Sequence, residues 1–221
     1  TVRQSDTDLV AHDTGAYGST GTVVAGTATL RAATALAADL VTWGAKVAEV
    51  PVEECELRPD GVSSPGTGLV PWSAVLAAAG GVVAASGSFD GTPRSVAFDV
   101  QGFRVAVNER TGEVRILQSV HAADAGTVVN PMQCRGQVEG GGGQALGAAL
   151  FEVIRVDGTG EVLDRTLRNY HLPQYADVPR TEVFFADTHD SIGPMGAKSM
   201  SESPYNPVAP ALANAIRDAT G

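Results

Sequence analysis

The segment from Phe103 to Val120 constrains the fold of this chain more than any other stretch of its sequence. Apolar and polar residues alternate in 103–107 and again in 114–120, as expected of two strands that each bury one face. The residues between them, Asn-Glu-Arg-Thr-Gly, are typical of a tight turn, because Gly112 can adopt a positive φ. This segment therefore predicts a β-hairpin.

Helical periodicity dominates two segments that precede the hairpin. Apolar residues recur at helical spacing from Thr22 to Trp43, and Gly44 is expected to cap that helix at its C-terminus. A second, short helix is predicted to open at Pro71 and to end at the glycine pair 80–81. Between these helices, the turn-rich segment 52–68 predicts a short hairpin followed by a loop.

The remaining elements follow the hairpin. The glycine-rich run at 140–143 is predicted to lead into a third helix, and 181–187 has the pattern of a strand. A final helix is expected to start with Asn206 as N-cap and Pro207 at its first position. Helices and strands are mixed without strict alternation, which predicts an α+β fold with helices packed on a mostly antiparallel sheet.

Composition narrows the classes of function. The formal net charge of −10 and the lack of any basic run argue against a nucleic-acid partner. No apolar stretch is expected to reach the length of a membrane span. The two cysteines, Cys55 and Cys134, have no partner at metal-binding spacing, which indicates idle thiols in a reducing, cytoplasmic compartment.

The chain is predicted to be one domain over residues 1–221 and a fragment of a longer protein. No internal repeat or low-complexity linker divides it. Its first residues, Thr-Val-Arg-Gln-Ser-Asp, have the character of a strand that ends in a loop, as if a domain were entered midway.

Three segments place glycine and small hydroxyl residues directly ahead of a predicted helix, at 15–22, 135–144 and 196–203. Small residues let a ligand approach the backbone, and a helix N-terminus offers free N–H groups and the positive end of a dipole. Three such loops in one chain favour an extended anionic ligand. Any one of these loops taken alone is better explained as a tight turn that carries a hydroxyl cap.

Known motifs do not explain these loops. The chain lacks a Walker-type loop, a GxGxxG spacing, a GxSxG elbow and an HExxH pattern. The four histidines are interpreted as surface or structural residues. Two carboxylates remain as candidates for acid–base chemistry, Glu139 ahead of the glycine run and Glu202 ahead of the last helix. Glu202 fits a general base better, although an ordinary helix-capping role is equally open on these grounds.

Four stretches of the sequence together resemble a known family. They are SDTDLVAHDTGAYGSTGTVVAG, DAGTVVNPMQCRGQVEGGGGQALG, NYHLPQYADVP and GPMGAKSMSESPYNPVAPALANAIRDATG. In this order they resemble the C-terminal part of the molybdenum-binding large subunit of the xanthine dehydrogenase, aldehyde oxidase and carbon monoxide dehydrogenase family. The resemblance covers nearly the whole chain, and that family's large subunit is several times longer.

The resemblance implies roles for individual residues. The YGSTGT loop matches a stretch that approaches the pterin cofactor and its phosphates. The cofactor-binding residues implied there are Gly18, Ser19, Thr20, Gly21 and Thr22.

Two further residues are implied by the same resemblance. Gln137 matches a pterin-contacting glutamine, and Glu202 matches the active-site base of a GxKGxGE pattern. Ser199 and Ser201 depart from that pattern, since glycine is usual at both positions, and the departure bears on how closely the backbone approaches the metal.

The resemblance also implies an activity, cofactors and partners. It implies hydroxylation of an aldehyde or N-heterocycle with water as the oxygen source. The expected cofactor is a molybdenum cofactor, molybdopterin or its cytosine dinucleotide, with no protein side chain as metal ligand. Iron–sulfur clusters and FAD are expected on other subunits or domains. The expected partners are a small-molecule substrate, the remaining large subunit, and iron–sulfur and flavin subunits in an oligomeric assembly.

Two alternatives stay open at this point. In the first, the chain lacks catalysis of its own and serves as a cofactor-binding or assembly fragment that requires the rest of the large subunit. A weaker alternative is an unrelated α+β protein that binds a nucleotide through the same loops.

Overall fold

The computed structural model describes residues 1–10, 12–13 and 15–221. The chain forms two compact units, one from Thr1–Gly15 with Val24–Thr92 and the other from Ala16–Val23 with Pro93–Gly221. The mixture of helices with sheets of mostly antiparallel pairing confirms the α+β prediction. The expectation that residues 1–221 are one domain stays a prediction.

The first unit combines a long helix with a small sheet. Helix α1 spans Gly21–Ala48, of which all but the first residues belong to this unit. The other elements are β1 (Glu56–Arg58), β2 (Gly61–Ser64), β3 (Gly68–Pro71) and helix α2 (Trp72–Ala78). The three strands pair antiparallel in the order β1-β2-β3, so the predicted hairpin is confirmed and gains a third strand.

Gly44 does not cap α1, and that prediction is wrong. The helix continues through Gly44 to Ala48. A Cβ at Gly44 would lie 2.5 Å from Val62 Cβ, so the glycine lets the helix approach β2. Val62 belongs to the buried core of this unit, together with Val70 and Val75.

Helix α1 also bears on the membrane prediction. Among the described residues it is the one helix that is long and apolar enough, by length and composition, to cross a membrane. The expectation that no apolar stretch reaches this length is therefore wrong. One such helix is weak evidence for a span, because a helix of a water-soluble protein can meet the same criterion.

The second unit is built on a three-stranded sheet. Strands β4 (Val100–Val107) and β5 (Val114–Ala123) form the predicted antiparallel hairpin, with Gly112 at φ +74° in its turn. Strand β6 (Thr181–Phe185) is confirmed and pairs parallel with β5.

Two helices cover this sheet. Helix α3 (Pro131–Leu150) and helix α4 (Val208–Thr220) meet at a buried cluster that contains Leu146, Val208 and Leu212. Each large aliphatic side chain buried in this way contributes about 2 kcal/mol to stability.

Two predictions about these helices are wrong. The glycine-rich segment 135–144 is not a loop but the interior of α3, whose N-terminus is set by the Asn130 side chain accepting from Gln133 N–H at 3.1 Å. Asn206 is not the N-cap of α4. It ends a short 3-10 turn, Ser203–Tyr205, and α4 begins after Pro207.

Candidate functional site

Glu202 lies in the second unit, in the loop between two 3-10 turns, Pro194–Gly196 and Ser203–Tyr205. It forms the N-terminal boundary of the second turn, where its carbonyl accepts from Tyr205 N–H at 3.2 Å. Its side chain makes no capping hydrogen bond to that turn, and the residue is exposed. The capping role that the sequence left open is therefore not what its carboxylate does.

The carboxylate of Glu202 instead contacts Ser19. The Ser19 hydroxyl donates to Glu202 Oε2 at 3.0 Å and accepts from the Glu202 backbone N–H at 2.8 Å. Ser19 is buried and has φ +63°, and Gly18 before it has φ +62°. A serine held in this left-handed region costs about 1 kcal/mol or more, which the surrounding hydrogen bonds must offset. The geometry fixes both the backbone and the side chain of Glu202 through one hydroxyl.

Helix α3 supports the same loop from another direction. Gln137, which is exposed, donates from Nε2 to the carbonyl oxygen of Ser201 at 3.0 Å. One turn further along, Gly141 faces the buried Pro204, and a Cβ on Gly141 would lie 3.2 Å from Pro204 Cβ. The structure thus brings Ser19 and Gln137 together at residues 201–202, although these segments are far apart in the chain.

Ser199 and Ser201 fit their positions without strain. Neither residue has a positive φ, so neither position requires glycine for its backbone conformation. The Ser199 N–H donates to Ser95 Oγ at 3.2 Å, and the Ser201 carbonyl accepts from Gln137. The serines keep the loop conformation and add hydroxyl groups to it.

The segment that leads to Glu202 is anchored by Lys198 and Asp124. The Lys198 N–H donates to the Ala125 carbonyl at 2.9 Å, and its Nζ lies 2.7 Å from Asp124 Oδ2. Asp124 also accepts from the Thr188 hydroxyl. Burial raises the pKa of the Asp124 carboxyl, but the hydrogen bonds from Lys198 and Thr188 outweigh burial, so its pKa lies below the ordinary value.

The remaining predicted cofactor residues surround the start of α1. Thr20 is buried and its hydroxyl donates to the Tyr17 carbonyl at 2.8 Å, while Gly21 and Thr22 form the first turn of the helix. No acidic residue lies in that turn. The backbone N–H groups of such a turn suit an anion.

Gly18 and Arg94 test whether this loop fits a phosphate-bearing cofactor. A Cβ at Gly18 would lie 3.2 Å from Arg94 Nη1, so the glycine allows the guanidinium to lie against the loop. A guanidinium and the free N–H groups of a helix N-terminus both donate hydrogen bonds to phosphate oxygens. The loop therefore fits the phosphate end of a pterin cofactor.

Sequence reasoning missed Arg94 and Asp124. Arg94 lies in an irregular segment without a motif, and only the fold brings it to the loop. Asp124 is the first residue of the DAGTVVNP segment, and that segment was the signal that could have identified it.

Glu139 does not lie in a loop ahead of a helix, as the sequence predicted, because it lies inside α3, where it pairs with Arg135 at 2.8 Å. Within residues 1–10, 12–13 and 15–221, no three His, Cys, Asp or Glu side chains are grouped to hold a metal.

Comparison with known proteins identifies the family to which this chain belongs. The sequence model of the molybdopterin cofactor-binding domain family matches residues 1–179, and the chain belongs to this family. That match includes the loop at 18–22 and Gln137, whereas Glu202 lies beyond it. The resemblance and the molybdopterin cofactor inferred from the sequence are thereby confirmed, and the alternative of an unrelated nucleotide-binding protein is wrong. Attachment of a cytosine dinucleotide stays a prediction.

Individual relatives agree with this family. The probable hypoxanthine oxidase XdhD of Escherichia coli K12 is 35% identical over 226 residues, covering 100% of this chain and 24% of the relative. The molybdenum-binding subunit PaoC of an aldehyde oxidoreductase from the same organism is 40% identical over 119 residues, or 53% of this chain and 16% of the relative. The chain thus spans about a quarter of the length of the first relative.

Solved structures show the same fold. CO dehydrogenase from Oligotropha carboxidovorans superposes with a TM-score of 0.85 at 27% identity, covering 96% of this chain and 28% of that one. Quinoline 2-oxidoreductase from Pseudomonas putida 86 gives a TM-score of 0.82 at 26% identity, covering 92% and 28%. Both matches extend over nearly all of the present chain.

Proposed function

We propose that the chain is the part of a molybdenum hydroxylase that carries the general base, and that the whole enzyme oxidises an aldehyde or an N-heterocycle. The observation that carries this proposal is the pair of hydrogen bonds between Ser19 and Glu202. These bonds orient the Glu202 carboxylate next to the loop that is proposed to bind the cofactor. The names of the relatives, which include a probable hypoxanthine oxidase, an aldehyde oxidoreductase and a quinoline oxidoreductase, support these substrate classes.

The chemistry assigns separate tasks to the cofactor and to this chain. When a carbon is hydroxylated with water as the oxygen source, the substrate and water together release two electrons and two protons. The cofactor, when bound, would supply the redox centre that accepts the two electrons. Glu202 would take a proton from the oxygen nucleophile, because its carboxylate can act as a base while Ser19 keeps it oriented.

Other residues of the chain would bind and orient. Arg94 and the N–H groups at Gly21 and Thr22 would hold phosphate, and Gln137 would keep the Glu202 loop against α3. Iron–sulfur and flavin centres would lie on other subunits or domains, because the chain has only two cysteines, too few to hold a cluster. Their subunits and the rest of the large subunit are the proposed partners in the assembly.

Substitution of Glu202 tests this proposal. In the complete enzyme, Glu202→Gln should lower kcat by at least about 100-fold, since it removes the proton acceptor but keeps the side-chain shape. Molybdenum and pterin contents should equal those of the wild-type enzyme. Glu139→Gln, which alters an exposed carboxylate on α3, serves as the matched control and should keep normal turnover. Wild-type kcat in Glu202→Gln would contradict the proposal.

A second candidate is a cofactor-binding or assembly fragment without activity of its own. It is favoured by the coverage of only 24% of the first relative, which leaves other walls of the site to be supplied elsewhere. Molybdenum and pterin contents of the purified 221-residue chain, measured with dye-linked substrate oxidation, separate the two candidates. Cofactor with turnover excludes the second, whereas cofactor without turnover supports it.

A further inference from the structure

A buried polar network lies behind the Glu202 loop, and its centre is His121 on β5. Its side chain is 1% exposed, with Nδ1 2.7 Å from Gln101 Oε1 and Nε2 3.3 Å from Asp99 Oδ2. The Gln101 amide is oriented by donating from Nε2 to Ser119 Oγ at 3.0 Å. Each ring nitrogen of His121 therefore faces an oxygen whose place is fixed by other contacts.

The carboxylate of Asp99 collects donors from three directions. Its side chain is 1% exposed. Oδ1 accepts from the Asp124 backbone N–H at 2.9 Å, and Oδ2 accepts from the Ser203 hydroxyl at 3.0 Å in addition to facing His121. A buried carboxylate with this many donors is held in one orientation. Asp99 thus connects the sheet to Ser203, the residue directly after Glu202.

Packing alone does not hold Ser203 in place. An open surface pocket of about 330 Å³ borders this residue. The lining residues are Ala97, Phe98, Asp99, Ser203, Asn206 and Pro207. Since there are few atoms on that side to confine it, the orientation of Ser203 depends on hydrogen bonds, to Asp99 Oδ2 and to the Met200 carbonyl at 2.9 Å.

We propose that Asp99 is a positioning residue for Glu202, acting through Ser203, and that His121 in turn orients Asp99. The inference rests on the proposed role of Glu202 as the base. Ser19 holds Glu202 from one side of the chain, whereas Asp99 holds the peptide that follows it from the sheet. Two independent anchors on adjacent residues confine the direction of the Glu202 carboxylate, and small misplacements of such a group are costly to turnover.

The test uses three variants of the complete enzyme. Asp99→Asn and Ser203→Ala should each lower kcat, by about 10- to 100-fold and by about 10-fold respectively, with KM within about twofold of wild type. Ser203→Thr, which keeps the hydroxyl, should restore kcat. Amide hydrogen exchange in the peptide 199–206 should become faster in the two defective variants and return to the wild-type rate in Ser203→Thr.

The control is another buried carboxylate in the same unit. Asp164 accepts from the backbone N–H and the guanidinium of Arg155, so Asp164→Asn should lower stability and leave kcat and exchange at 199–206 unchanged. A kcat within about twofold of wild type in Ser203→Ala would overturn the inference, even if Asp99→Asn fails to fold. An equal loss of kcat in Asp164→Asn would also overturn it.

Two outcomes separate this inference from the proposed function. Turnover that survives in Glu202→Gln contradicts the general-base role and with it the inference. An inactive Glu202→Gln together with a fully active Ser203→Ala overturns only the positioning role of Asp99.

Discussion

Ser19 combines a strained backbone with two hydrogen bonds to one catalytic candidate. Its φ of +63° is uncommon for a residue with a side chain, and its hydroxyl is both donor and acceptor toward Glu202. The sequence picked out Ser19 as a cofactor contact and Glu202 as a base. It carried no information on their pairing, because the two residues are 183 positions apart and periodicity reports only local structure.

Removal of the Ser19 hydroxyl should lower turnover. A hydrogen bond to a charged group contributes about 1.5–3 kcal/mol, so Ser19→Gly should lower kcat by about 10- to 100-fold. Glycine adopts a positive φ without strain, so the loop keeps its path and any loss reflects the hydroxyl. Steady-state kinetics at equal molybdenum content measures the effect.

Ser19→Ala provides the comparison for that variant. Alanine also lacks the hydroxyl but cannot relieve the positive φ, so it should lose the same factor in kcat and melt at a lower temperature than Ser19→Gly. If the two variants kept wild-type kcat, Ser19 would not orient Glu202.

The lowered pKa of Asp124 predicts how the stability of the protein depends on pH. Its pKa is lowered in the folded state, so its contribution is complete above the ordinary unfolded value of 3.8 and is lost as pH falls through the lower folded value. Asp124→Asn should therefore lower the free energy of unfolding by about 2 kcal/mol at pH 7, and this difference should shrink below about pH 4. Urea unfolding at pH 7 and pH 3 measures both differences.

Two further variants serve as comparisons for Asp124→Asn. Lys198→Met removes the partner and should cost a similar amount at pH 7. Asp218→Asn, which changes an exposed carboxylate on α4, should change stability little at either pH. A difference between wild type and Asp124→Asn that stays the same at pH 3 would contradict the stabilising role of the ionised carboxylate.

At the scale of elements, α3 shows why part of the fold escaped prediction. Four consecutive glycines at 140–143 favour a loop on propensity alone, yet they lie within a 20-residue helix. Tertiary packing decides the outcome, because Gly141 makes room for Pro204 and thereby for the turn that follows Glu202. The same reasoning explains Gly44, where close packing on Val62 replaces the expected cap.

The glycines of α3 can be separated by substitution. Gly140 has open space where a Cβ would lie, so Gly140→Ala should stabilise the protein by about 0.5–1 kcal/mol through helix propensity and leave kcat unchanged. Gly141→Ala introduces a Cβ 3.2 Å from Pro204 Cβ, so it should gain less stability and lower kcat by moving the Glu202 loop. Thermal unfolding and kinetics on both variants check the contrast.

The opposite ranking of these two glycines would contradict the packing role of Gly141. Equal stabilisation with unchanged kcat in both variants would do the same, because it would show that Pro204 moves freely without disturbing Glu202.

At the scale of the whole molecule, the fold class and the family could be predicted from the sequence. The hydrogen bonds that hold the candidate site in place could not. The hairpin at 103–120 and the strand at 181–185 follow from period-2 alternation, which is a local feature of the sequence. The network of Asp99, His121 and Ser203 does not, because it joins segments whose proximity is set only by sheet pairing and by the return of the chain near its end.

The hydrogen bond between Ser19 and Glu202 has a consequence for the order of assembly. A contact between positions so far apart stabilises the fold only after the entropy of closing the intervening chain has been lost. The base can therefore acquire its orientation only after the second unit has assembled around its sheet. A partly folded chain would contain every residue of the site and still lack a working one.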